Sequence, residues 1–319
     1  MSIRKIAKLA GVSTSTVSRV INQHPYVKED KRQRVLDVMA EIDYVPNQNA
    51  INLSNGKNNV IGLVVPYIRN SCYDQLVESV LEEATKQHQK VMILPTYFDQ
   101  DLEKTYYTLL RDKTVDGIIV TSKTQDDTFL SELSQYGPIV TTEKTKFSSV
   151  PSVYPDRVAM FHLAFKYLSQ LTQYNDIFVT VHRPKSESYS TERKMAIFSE
   201  YFPEKKEGDA FLDGLTNFED GYKLGKQLFN QFKEPFILYG NGDEVTAGIF
   251  KASLETNYKM NRDFYLISED NQLFSEIFSI DSLDFHLKEV GKKAVHHLLN
   301  HETTNQKIIG HFEKRQKNG

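Results

Sequence analysis

GVSTSTVSRVIN, residues 11–22, sets three valines and an isoleucine among six small hydroxyl or amide side chains and a single arginine. Wound as a helix, it places Val17, Val20 and Ile21 at i, i+3 and i+4 on one face. Thr14, Ser15, Ser18, Arg19 and Asn22 take the rest of the surface, which holds no carboxylate to repel a polyanion. Upstream, Ile3, Ile6, Ala7 and Ala10 follow the same periodicity, so residues 3–10 read as a helix that Gly11 stops in the left-handed conformation. Ser13 is a suitable N-cap for a second helix over 14–22. Two helices joined by a three-residue, Gly-containing turn form a helix-turn-helix. In that motif the second helix enters the major groove of DNA with its N-terminal residues near base edges. Ser13 and Thr16 lie at that end, and Thr14 and Ser15 are expected to face bases. Ser18 and Asn22 are placed to reach phosphates or bases, and Arg19 offers a fork for guanine. Val35, Val38, Met39 and Ile42 predict a third helix over 29–43 that closes a small core.

Charge is distributed unevenly along the 319 residues. Residues 1–57 hold nine Lys/Arg against five Asp/Glu, while the remainder holds 30 against 37, so a head of +4 precedes a body of −7. A basic head on an acidic body implies that the head meets the polyanion. A hydrophobic content of 39% and a charged content of 25% fit a globular chain with an ample core. No apolar run approaches the ~20 residues of a membrane span. The N-terminus lacks the apolar region and cleavage site of a secretion signal, so the expected location is cytoplasmic. The single cysteine, Cys72, excludes an intrachain disulfide.

The body repeats a strand–helix alternation. Strands are expected at 60–65, 90–94, 115–120 and 138–141, with helices near 73–88, 99–112 and 126–136. A second series has strands at 176–181, 235–239 and 264–268, and helices near 190–201, 218–232, 243–257 and 284–300. This alternation predicts βαβ units and parallel sheets in two doubly wound lobes, with a ligand crevice beyond the strand carboxyl ends. The loops there are PYIRNSCYD (66–74), EKTK (143–146), YGNGDE (239–244) and SEDNQ (268–272), joined by Arg193. Carboxylates, an amide, an arginine and the rings of Tyr67 and Tyr73 suit a polyhydroxyl ligand.

IRKIAKLAGVSTSTVSRVIN, followed by RVLDVMAEIDYVPNQNAINLSNGKNNVIGLVVP, resembles the N-terminal signature of LacI/GalR-type bacterial repressors. The resemblance is strong to about residue 66, recognisable to about 120 and patchy beyond. It implies a homodimeric repressor that reads a near-palindromic operator and senses a small molecule, with a body like the periplasmic sugar-binding proteins. It also implies a hinge helix on Pro46, Asn47, Ala50 and Leu53, the leucine wedging a minor-groove base step. In this alignment Asn70, Glu143, Arg193, Asp243 and Asp270 are effector contacts. The chain departs from the pattern at Lys28, where a capping Ser is usual, and at Ile51 and Asn52 in the hinge. The ligand loops depart at Tyr67, Ser71, Cys72, Gly242, Ser268, Glu269 and Asn271. Residues 1–46 therefore read as the helix-turn-helix domain, 47–58 as hinge and linker, and 59–319 as the effector-binding and dimerisation body.

A sugar or sugar phosphate is the expected effector, as inducer or co-repressor, and a protein co-regulator is the alternative partner. No cofactor or membrane partner is expected. His297 and His301 stand at i, i+4 but have no third ligand nearby, so they are not taken as a metal site. YGNGDE lacks the Lys-Ser/Thr ending of a phosphate loop, and no Gly-x-Ser-x-Gly elbow occurs. A cytoplasmic sugar-binding protein or sugar-processing enzyme with no DNA role is the contrasting reading; it lacks a nucleophile or paired-base motif. The short basic tail has no leucine heptads, which favours a dimer over a tetramer.

Overall fold

The computed structural model describes residues 3–22, 24–45, 56–68 and 71–315, the side chains of residues 71 and 72 excepted. The chain divides into two compact units, Met1–Asn59 and Val60–Gly319.

The first unit is three helices, α1 (Ile3–Ala10), α2 (Thr14–Ile21) and α3 (Glu29–Glu41). Gly11 takes the left-handed turn at φ +63° that a side chain would resist. Ser13 is extended, and its Oγ accepts the Thr16 backbone N–H at 3.2 Å, which caps α2. Ile6, Ala7, Ala10, Val17, Val20 and Val35 are buried together, with Ile21, Val38, Met39 and Ile42 packed around them. Helix α3 ends at Glu41, two residues short of the expected boundary, because Asp43 turns left-handed at φ +48°. Lys28 gives α3 no side-chain cap. Glu29 and Asp30 in the first turn offset this through the helix dipole, and Arg34 reaches back to Asp30 at 3.4 Å.

In the second unit, β1 (Val60–Val65), β2 (Lys90–Pro95), β3 (Gly117–Val120) and β4 (Ile139–Thr141) form a parallel sheet ordered β2-β1-β3-β4. Helices α4 (Ser71–Lys86), α5 (Gln100–Arg111) and α6 (Asp127–Leu133) connect its strands. A second sheet is built from β6 (Asp176–Thr180), β7 (Phe211–Leu212), β8 (Phe236–Tyr239), β9 (Phe264–Glu269), β10 (Asp281–Asp284) and β12 (His311–Glu313). Its order is β12-β10-β9-β8-β6-β7, and β12 joins β10 antiparallel. With it go α7 (Arg157–Leu168), α8 (Tyr189–Tyr201), α9 (Glu207–Ala210), α10 (Phe218–Gln231), α11 (Asp243–Ser253) and α12 (Leu273–Ile277). Gly221 and Gly248 let α10 and α11 cross closely, since a Cβ on either would overlap the other helix's backbone.

Between the sheets, β5 (Val153–Pro155) pairs in parallel with β11 (Gln306–Ile308). The chain crosses between lobes three times: after β5, between β10 and α13 (Leu287–Leu299), and between β11 and β12. Helix α13, which the sequence groups with the second series, packs instead on α4 of the first lobe. Gly291 lies against Ser79, and Leu298 lies over Gly117. Periodicity gives a helix and its apolar face but not the lobe that receives it. Helix α7 is unforeseen, since RVAMFHLAFKYL is apolar nearly all round: Met160, Phe161, Ala164, Phe165 and Leu168 are buried, while Val158 and Leu163 are exposed. Among the described residues, no helix is long and apolar enough to cross a membrane.

Candidate functional site

On the first unit, packing decides which side of α2 is free. Val17 and Val20 are buried against α1 and α3, which leaves Thr14, Ser15 and Arg19 exposed and Thr16, Ser18 and Asn22 half-buried. Ser13 Oγ also lies 2.8 Å from Ser15 Oγ and 2.9 Å from Thr16 Oγ1, so that hydroxyl is engaged within its own helix end. The Asn22 amide donates weakly to Ser18 Oγ at 3.5 Å, while its Oδ1 is buried with no hydrogen-bond partner among the described residues. The hinge positions Pro46, Asn47, Ala50 and Leu53 lie outside the described residues, as does Asn70 of the ligand loop.

In the second unit, each sheet reverses its winding at one place, between β1 and β3 in the first and between β6 and β8 in the second. Ligands bind parallel sheets outside the strand ends at such points. Tyr67 follows β1 and His182 follows β6, and their rings meet edge-on at 5.7 Å across the two lobes. Phe98, after β2, lies 5.7 Å from Tyr67 and 6.2 Å from His182, and the Arg183 guanidinium sits 3.8 Å over its ring. Burial, then the Arg183 charge, lowers the His182 pKa, so this aromatic face favours a neutral imidazole.

A second junction lies at the end of β9. Lys194 Nζ donates to Glu269 Oε1 at 2.5 Å, and Tyr239 Oη donates to the same oxygen at 2.8 Å. Arg157 stands 4.0 Å from the other carboxylate oxygen. Lys194 and Glu269 are both buried, which makes this the desolvated charge pair of the second lobe's strand ends. The neighbouring Asp270 is fully buried, and burial, followed by the Glu269 charge, raises its pKa to about 8. Its carbonyl accepts from Gln75 Nε2 of α4 at 2.6 Å, a direct hydrogen bond between lobes. A cavity of about 420 Å³ opens beside it, lined by Asp74, Gln75, Glu78, Asn271, Gln272, Leu273 and Lys288.

The expected effector residues do not form one cluster. Tyr67 joins the aromatic junction, and Tyr73, on α4, packs half-buried against the core. Glu143, in the first lobe, accepts from Ser122 Oγ at 2.7 Å and from Lys123 Nζ at 3.2 Å. Arg193 is exposed, while the adjacent Lys194 points inward. Asp243 is buried with its acceptor positions filled: Oδ1 takes the hydroxyls of Ser268 and Ser275, and Oδ2 takes the backbone N–H groups of Gln272 and Ser275. That carboxylate therefore caps α12 and holds the loop after β9. Lys194, His182 and Phe98 escaped the sequence reading, and Glu269 entered it only as a member of the 268–272 loop. Lys194 had a legible signal, since it falls beside Thr191, Met195 and Phe198 on the buried face of α8. His297 is buried, its Nδ1 lying 3.1 Å from the Lys293 carbonyl and its Nε2 3.6 Å from Glu302, beyond hydrogen-bond distance.

Comparison with known proteins matches both units. Residues 2–47 fit the model of the bacterial regulatory proteins of the lacI family, and residues 58–315 fit that of the periplasmic binding proteins and sugar binding domain of the LacI family. The chain belongs to the LacI family of bacterial regulators. It is 35% identical to catabolite control protein B of Bacillus subtilis over 314 residues, which covers 98% of this chain and 99% of that protein. The NTD biosynthesis operon regulator NtdR of the same organism is 29% identical over 299 residues, 92% of this chain and 90% of that one. In fold, the chain is similar to the Lac repressor dimer bound to operator and an anti-inducer, with a TM-score of 0.80 and 19% identity over 100% of this chain and 99% of that one. This LacI-family chain is thus a DNA-binding transcriptional regulator and not an enzyme, with a helix-turn-helix head and a two-lobed body of the periplasmic-binding type.

Proposed function

We propose that this regulator is a repressor that binds a near-palindromic operator as a homodimer and releases or tightens it in response to a sugar or sugar phosphate. The observation that carries the DNA half is the free face of α2. Thr14, Ser15 and Arg19 are exposed on a helix that Ser13 caps and two buried valines anchor. Ser18, Thr16 and Asn22 flank that face, and Asn47, Ala50 and Leu53 are assigned to a hinge wedge in the minor groove. Two α2 faces, one per protomer, read two half-sites.

The effector is assigned to the space between the lobes at the strand ends, with Tyr67, Tyr73, Asn70, Glu143, Arg193 and Asp270 as its expected contacts. The aromatic junction of Tyr67, Phe98 and His182 offers apolar sugar faces a floor, and the Lys194–Glu269 pair offers polar anchoring. Asp243 acts by holding the loop that carries Asp270 rather than by contact. A ligand that changes the Gln75–Asp270 and Tyr67–His182 contacts shifts the population of lobe arrangements and, through it, operator affinity.

Two measurements test the assignment. Operator titrations of Arg19→Ala should show a loss of about 1–3 kcal/mol with relaxed preference at one base position. A uniform loss on operator and random DNA, with a shallower salt dependence, would make Arg19 a phosphate contact. A thermal-shift panel of free sugars and sugar phosphates should give one saturable hit that Tyr67→Ala abolishes. A panel without a hit would turn the search to a protein co-regulator.

A further inference from the structure

Among the described residues outside the cleft, one cluster of metal-ligating side chains stands at the lobe crossings. Asp284 ends β10, His286 follows two residues later at the start of α13, and His311 opens β12 directly opposite Asp284 in the antiparallel pair. One ligand atom from each of the three lies within 4.8 Å of the other two. His286 Nε2 and His311 Nδ1 face each other at 2.9 Å. Two nitrogens bound to one tetrahedral ion at about 2.0–2.1 Å each stand about 3.3 Å apart, so the pair is within a few tenths of an ångström of ligating separation.

The atoms behind the rings fit the same reading. His311 Nε2 lies 3.2 Å from the Glu313 carboxylate, and His286 Nδ1 lies 4.0 Å from Glu289. A carboxylate accepts only, so His311 carries its proton on Nε2 and turns the lone pair of Nδ1 toward His286. Metal-ligating histidines characteristically present their second nitrogen to a carboxylate in this way. The backbone is shaped to bring the groups together. His286 is left-handed at φ +52°, with its N–H donating to Asp284 Oδ1 at 2.7 Å, and Gly310 lies so close to the Asp284 carbonyl that a Cβ there would overlap it. Asp284 Oδ2 is oriented by the Asn271 amide at 3.0 Å.

We propose that His286, His311 and Asp284 form a binding site for a divalent transition metal of the zinc type, with Glu313 supporting His311 from behind. When the ion binds, the proton shared between the rings leaves His286 Nε2 for its Nδ1, on the Glu289 side, and both facing lone pairs go to the metal. The ligands come from the crossing between β10 and α13 and from the one between β11 and β12, so the ion ties those crossings together. Imidazole nitrogen with one carboxylate suits zinc, cobalt and nickel ahead of magnesium or calcium.

The test is titration of the untagged full-length protein with Zn²⁺ by calorimetry and with Co²⁺ by visible absorption. The expected result is one equivalent bound, with the d–d bands of nitrogen-ligated cobalt. His311→Ala and His286→Ala should each abolish stoichiometric binding, and Glu313→Gln should weaken it about 10–100-fold. His301→Ala, a control on an exposed histidine, should bind as the parent does. Circular dichroism spectra and melting curves establish that each variant is folded. Absence of stoichiometric binding by the parent, or equal binding by the folded His286→Ala/His311→Ala double variant, would overturn the proposal.

Discussion

Removing Lys194 tests whether the charge pair at the end of β9 is as desolvated as its geometry implies. Lys194→Met keeps most of the side-chain volume but leaves the buried Glu269 carboxylate without the ammonium 2.5 Å away. Breaking a buried pair from one side costs about 3–5 kcal/mol. Glu269 retains the Tyr239 hydroxyl at 2.8 Å and Arg157 at 4.0 Å, so the loss should fall near about 3 kcal/mol. For a body of this size that corresponds to a fall in melting temperature of about 6–12 °C. Glu269→Gln removes the opposite charge instead, leaving the ammonium beside an amide and the Phe161 and Tyr239 rings, each at 4.9 Å, and should cost a comparable amount. Lys194→Met/Glu269→Gln carries no net charge and keeps an acceptor for Tyr239, so it should return to within about 2 kcal/mol of the parent. Denaturant unfolding followed by circular dichroism supplies all four corners of the cycle; the chain has no tryptophan to report by fluorescence. Single variants that each cost less than about 1 kcal/mol would place the pair among solvated surface bridges and refute the reasoning.

Three further outcomes follow from other sites. Asp270 has a pKa of about 8 in the folded chain against an ordinary 3.8, so the native state holds a proton that the unfolded chain releases. Its stabilising contribution is full below about pH 4 and is lost as pH rises to about 8, with a slope of at most about 1.4 kcal/mol per pH unit; stability curves of Asp270→Asn should lack that slope. Ser13→Ala removes the cap of α2 and should destabilise the head by about 0.5–2 kcal/mol, read as earlier loss of its helical signal while the body's transition stays in place. Gly248→Ala drives a methyl into the backbone of α10 and should cost about 1–3 kcal/mol or more in the body, with unchanged melting there as the contrary result.

Local chemistry made the head legible in the sequence. Gly11 and Ser13 each dictate a backbone conformation, and the three helices and their core positions follow from short-range periodicity. Seven parallel strands were equally plain because β-branched runs such as VIGLVV bury both faces, whereas the short parallel strands β5, β7, β10 and β11 were not read. Helix α7 was hidden because its apolar residues leave no polar face to set a phase. The lobe receiving α13 was hidden because Gly291 meets Ser79 across more than 200 residues of chain. In the cleft, residue types survived better than addresses. The second lobe buries Lys194 while Arg193, the expected effector contact, stays exposed, because one step along a helix turns the side chain by about 100°. Asp243 carried a family motif, yet its oxygens are consumed by the loop it caps, a role set by the packing of residues 268–275 and not by local sequence.

The three passages of the chain between lobes also bear on how the protein is made. The first lobe's strands and its helix α4 leave the ribosome long before α13, which contributes Val290, Ala294, Val295 and Leu298 to their core. During synthesis that lobe therefore stands with an uncovered apolar flank while some 130 residues of the second lobe are translated. Truncation or stalling anywhere before residue 299 leaves both lobes incomplete, so quality-control chaperones meet this regulator as an all-or-nothing client rather than as two separable halves.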